Sequence, residues 1–145
     1  MRIATSTLTA VLFHSTAAVA YCPEYPTIEQ EFKTSEFVFI GEVRSTQKVH
    51  PGSDDFFDGI NYVVKVSERL RGTPGNTVTL FSENSSGRFP MQIGAKYLVF
   101  TSLQAGTFAK APVYTVSYCG HSGTLHSRPK TLSAIRHLQK SKGLP

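Results

Sequence analysis

Phe37-Val38-Phe39-Ile40-Gly41-Glu42-Val43-Arg44 is the stretch whose reading decides the fold. Five of its first seven residues are aromatic or β-branched, the composition of a strand. By period-2 counting Phe37, Phe39, Gly41 and Val43 share one face, while Glu42 and Arg44 point the other way. Val38 and Ile40 give the N-terminal half a second apolar face, so that half needs cover on both sides. Gly41 carries no side chain and lets the strand coil sharply or admit a close neighbour, as a small closed barrel requires. The segment reads as the first strand of such a barrel.

Working outward, Thr27 and Gln30 have the spacing of a capping box and predict a short helix over residues 28–35. Its Ile28 and Phe32 share a face, which is the natural cover for Val38 and Ile40. On the C-terminal side, residues 46–59 contain Pro51-Gly52 and Asp58-Gly59, turn chemistry that predicts a long hairpin loop. Phe56 and Phe57 are adjacent and cannot both face inward from one extended segment. At least one is expected to be exposed among three aspartates as a contact residue, unless both fold back under the loop.

Alternation predicts further strands at residues 60–68, 77–81, 96–101 and 113–119. In the last of these Tyr114, Val116 and Tyr118 share a face, which suits core packing or a stacking platform. A short helix is predicted from Thr131, with Leu132, Ile135 and Leu138 inward and Gly143 ending it. The fold class is therefore mostly β: a five-stranded Greek-key barrel of the OB type with short flanking helices. The bare pattern would also suit a sandwich or a lipocalin fragment.

The chain's 145 residues, 11% aromatic and 17% charged, describe one globular domain. Residues 1–20 read as a secretory signal: a basic start at Arg2, an apolar run from Leu8 to Phe13, and an Ala18-Val19-Ala20 cleavage site. The expected mature domain is 21–145, secreted or periplasmic, with no later segment apolar enough to span a membrane. In an oxidising compartment Cys22 and Cys119 are expected to form a disulfide; the alternative is two buried free thiols.

The net charge of +5 is unevenly placed. From Tyr21 to Glu83 there are six basic and ten acidic residues, and beyond Glu83 eight basic and none acidic. A field of one sign draws polyanions, with Arg128, Lys130, Arg136, Lys140 and Lys142 as candidate contacts for a glycan or nucleic acid. The other outcome is that the two halves interleave and their charges pair.

Several pieces taken in order resemble a known family. They are Cys22-Pro23, Glu31-Phe32, the strand from Phe37 to Val43, Tyr62-Val63-Val64-Lys65-Val66, Arg71-Gly72 with Gly75, Gly94-Ala95-Lys96-Tyr97-Leu98-Val99-Phe100 and Cys119-Gly120. Together they resemble netrin-like domains, and more narrowly the tissue-inhibitor-of-metalloproteinases type in its short bacterial form. The resemblance implies an OB-fold barrel, no catalysis, and inhibition of secreted zinc peptidases by a wedge at the mature N-terminus.

In those inhibitors a Cys-x-Cys start places the first cysteine on the zinc, and two disulfides pin it. Here Ala20-Tyr21-Cys22 lies over that start, so the second cysteine alone is kept, and Cys119 matches its partner. The position of the first cysteine's partner falls at Ser86. Tyr21, Cys22 and Pro23, with Phe56 and Phe57, are therefore the expected partner-binding residues.

No zinc-hydrolase, phosphate-loop or nucleophile-elbow motif occurs. Cys119, His121 and His126 make a weak metal site once the sulfur is bridged, with no carboxylate near the histidines in sequence. No cofactor, metal or acid–base pair is expected.

Overall fold

The computed structural model describes residues 22, 24–49, 57–105 and 112–141. The expected signal segment, Tyr21, Pro23, Phe56, Lys142 and Gly143 lie outside them. The described chain is mostly β: seven strands in one mixed sheet, with two α-helices. In chain order these are α1 (Ile28–Thr34), β1 (Val38–Val49), β2 (Gly59–Arg71), β3 (Thr77–Glu83), β4 (Lys96–Phe100), β5 (Ser102–Gln104), β6 (Val113–Thr115), β7 (Gly123–Thr124) and α2 (Pro129–Ser141). The strand order across the sheet is β5-β6-β3-β2-β1-β4-β7. All neighbours are antiparallel except β3 and β6, which run parallel.

β1 behaves as its two apolar faces require. Phe39 and Val43 enter a core with Tyr62, Val64, Leu80, Tyr97 and Val99. Val38 and Ile40, on the opposite face, pack with Phe32 of α1, Leu98 and Phe100 of β4, and Ile135 of α2. The register Val38↔Phe100, Phe39↔Val99, Ile40↔Leu98 puts β4 in step, so both strands serve two cores at once. Gly41 is needed for close approach: a Cβ there would lie 2.6 Å from Val64 Cγ1 and 3.0 Å from the Lys65 carbonyl.

α1 starts on the expected capping box. Thr27 Oγ1 accepts from Gln30 N–H at 3.2 Å, and Gln30 Oε1 accepts from Thr27 N–H at 2.9 Å. Its other end is held by Arg71, whose Nε donates to the Ser35 carbonyl at 2.9 Å and Nη2 to the Lys33 carbonyl at 2.8 Å. A cation there satisfies carbonyls the helix leaves open and suits the negative end of its dipole. α2 begins two residues earlier than predicted because Pro129 fits the first helical position, where no N–H is needed. Its Leu132, Ile135 and Leu138 face inward as expected.

Other details differ from the sequence reading. The strands of the first hairpin run to Val49 and from Gly59, so the predicted 46–59 loop is shorter. β5 and β7 were not expected; β5 has all three residues exposed and β7 has two residues, so neither leaves a pattern. The fifth predicted strand stops at Thr115 rather than 119. Ser117 Oγ accepts from Cys119 N–H at 3.1 Å, a local turn bond that competes with strand pairing. Consequently Tyr118 leaves the face of Tyr114 and Val116 and is 51% exposed.

Only Thr101 separates β4 from β5, and it is 1% exposed. Its Oγ1 accepts from Phe37 N–H at 2.9 Å and donates to the Phe37 carbonyl at 3.1 Å. Its own N–H reaches the Phe37 carbonyl, and its carbonyl accepts from Glu36 N–H, both at 2.9 Å. The strand that pairs with β1 thus bends at Thr101 and runs on into the strand that pairs with β6. Thr101→Val keeps the shape but strands the Phe37 N–H, and should cost about 1–3 kcal/mol. A urea titration should show a lower midpoint with an unchanged slope.

Candidate clasp site

The features nearest to chemistry gather where the start of the described chain meets the turn after β6. Cys22 and Cys119 are disulfide-bonded with Cα atoms 5.6 Å apart, closing 97 residues of sequence separation. Neither is a free thiol, so the alternative of two buried cysteines falls away. In the chain-entropy account, a loop of this length stabilises the fold by roughly 4–5 kcal/mol.

Beside the bridge, Glu31 of α1 accepts two hydrogen bonds on Oε2. One comes from the His121 backbone N–H at 2.7 Å and one from its ring Nδ1, also at 2.7 Å. The side chains are 11% and 24% exposed, respectively, which shelters the contact from water. The bridge and the carboxylate therefore hold the 119–121 turn to the N-terminal segment from both sides. The sequence places Glu31 ninety residues from His121, which is why no carboxylate was expected near that histidine. With the sulfurs bridged, no group of three metal-ligating side chains occurs among the described residues.

Two depressions adjoin the clasp and share Cys119 in their linings. A groove of about 190 Å³ lies between the 24–35 segment and the turn, with Glu24, Glu31 and Gly120 on its walls. A cleft of about 350 Å³ has Cys119 and Tyr118 in its lining. Phe57, expected as a contact residue, is half-buried, with Lys48 Nζ 4.9 Å from its ring centroid. Asn84 Nδ2 donates to its carbonyl at 3.1 Å.

The expected basic contacts are divided by the fold. Arg128 turns inward and donates from Nε and Nη2 to the Ser122 carbonyl at 3.2 and 3.0 Å. Arg136 Nη2 reaches the Glu68 carboxylate at 3.2 and 3.3 Å. Lys130 and Lys140 are exposed on α2. Charges of the two halves thus pair across the fold at Arg136–Glu68. No helix among the described residues is long and apolar enough to cross a membrane.

No family model matches the chain, and no curated protein sequence matches it.

Removing the bridge with Cys22→Ser and Cys119→Ser should cost about 2–5 kcal/mol. Glu31→Ala, which leaves the His121 N–H without its acceptor, should cost about 1–3 kcal/mol. Because both hold one turn, the combined variant should fall short of the sum of the two in chemical denaturation.

Proposed function

We propose that the chain is an exported, non-enzymatic binding protein of netrin-like type, whose leading end Tyr21-Cys22-Pro23 is presented to a protein partner of the secreted zinc-metallopeptidase class. The observation that carries this reading is the Cys22–Cys119 bridge, which anchors that end to the turn after the last barrel-forming strand. The strand order supports an OB-type barrel. With β4 and β5 taken as one strand bent at Thr101, the order runs β1-β2-β3-β6-β5/β4 and returns to β1. β7 is then an addition beside β4.

Cleavage after Ala20 leaves the Tyr21 α-amine as the first group, without the cysteine that the inhibitors place there. One bridge holds this end where those inhibitors use two, so a weaker grip on a catalytic zinc follows. Polyanion binding through α2 is the less supported reading, since Arg128 and Arg136 already serve partners within the fold.

Exported protein whose N-terminus has been sequenced as Tyr21 should inhibit at least one member of a panel of secreted zinc peptidases at micromolar concentration. Cys22→Ser should weaken that inhibition. A correctly processed protein that leaves every member fully active at this concentration overturns the inhibitor reading.

A further inference from the structure

The 350 Å³ cleft beyond the clasp has a floor built in register across four strands. Asn61 of β2 pairs with Phe81 of β3, Phe81 with Thr115 of β6, and Thr115 with Ser102 of β5. Their sequence neighbours Tyr62, Leu80 and Tyr114 face the core, so this row faces away from it. The Phe81 ring lies over Gly59, where a Cβ would come within 2.5 Å of ring atoms Cε2 and Cζ. Glycine there seats the aromatic ring against the sheet backbone. Tyr118, half-exposed, stands at the rim.

The lining restricts what can bind. Among the described residues that form the cleft there is no Lys, Arg or His, and Glu83 is the single carboxylate, so none of these residues selects an anion. β6 is paired on both edges, by β3 and β5, so the floor offers no free ladder to an added peptide strand. What remains is two aromatic rings, the aliphatic side chains of Val49, Ala105, Val113 and Val116, and neutral amides and hydroxyls. The Ser117 hydroxyl already accepts from the backbone N–H of Cys119, leaving its own proton to donate elsewhere.

A ligand with one apolar C–H face and a rim of oxygen acceptors matches that set. The C–H face meets the negative face of an aromatic ring, and the rim oxygens meet the hydroxyls and amides. We propose that this cleft binds a neutral saccharide, one ring packed against Phe81 and Tyr118. The volume lies at the lower end for small-ligand sites, suited to one or two sugar rings.

The test is an NMR titration of the full mature protein with cellobiose, maltose, lactose and N,N′-diacetylchitobiose. At least one should produce saturable shifts at Phe81, Asn61 and Tyr118 with a millimolar or tighter dissociation constant. Tyr118→Ala removes an exposed ring without opening the core and should weaken binding about tenfold, the equivalent of one lost stacking contact. Ile93→Ala, exposed on a different turn, should leave it unchanged. Absence of saturable shifts with all four sugars overturns the proposal, as does binding that Tyr118→Ala leaves intact. Shifts produced by p-cresol and by none of the sugars would instead assign the cleft to an apolar side chain of a partner, and also overturn it.

Discussion

Two-sided burial of β1 and β4 is the constraint on which the structure depends. Val38, Phe39, Leu98 and Val99 are fully buried, yet alternate residues serve different cores. Strand side chains repeat every two residues, so a slip of one would exchange the contents of the two cores. The inner set includes the long rings of Phe39 and Tyr97, and the outer set must fit beneath two helices. The register is thereby specified twice, once by each layer, and β1 can bulge against β2 without losing its place. Irregularities do fall at Val38/Phe39, Ile40/Gly41 and Val43/Ser45 along that pair, while the β1–β4 register runs without a break.

The clasp depends on that layer. α1 lies on β1 through Phe32, and Arg71 at the end of β2 grips the helix's last carbonyls. This fixes the direction in which Glu31 points. Glu31 then meets the backbone and ring of His121, and the neighbouring Cys119 is bridged to Cys22. A charged acceptor with little exposure is a stronger tie than a surface ion pair, because water competes for it less. The Lys33–Glu29 pair on the same helix, with both side chains half-exposed, has no such advantage.

How much of this could be read from the sequence follows the range of the interaction. The capping box at Thr27 and Gln30 and the double face of Phe37–Val43 are local signals, and both appear in the folded chain. The Cys22–Cys119 pairing was legible because two cysteines allow one intramolecular partner. What was missed is set by non-local geometry. Ser102-Leu103-Gln104 becomes a strand because β6 lies beside it, although none of its side chains is buried. Glu31 and His121 are remote in sequence, and nothing in either neighbourhood announces the other. Arg128 has the composition of a surface contact but spends its donors on the Ser122 carbonyl, so composition overstated the basic patch.

The edge of β1 beyond its contact with β4 shows how the fold limits unwanted association. β4 pairs with β1 as far as Glu42, and the last bonds across that junction run from Val43 N–H to Ala95 and from Gly94 N–H to Val43. Beyond this point Ser45–Val49 of β1 is paired with β2 on one side, and no strand among the described residues pairs with the other. A strand edge without a partner invites another chain. Here Arg44 is the unpaired extra residue of a bulge where the edge begins, and Lys48 follows four positions on. The bulge adds local twist, so a second straight strand fits the edge poorly. The strand that carries two cores at one end thus has, toward the other, a bulge whose twist works against a straight partner.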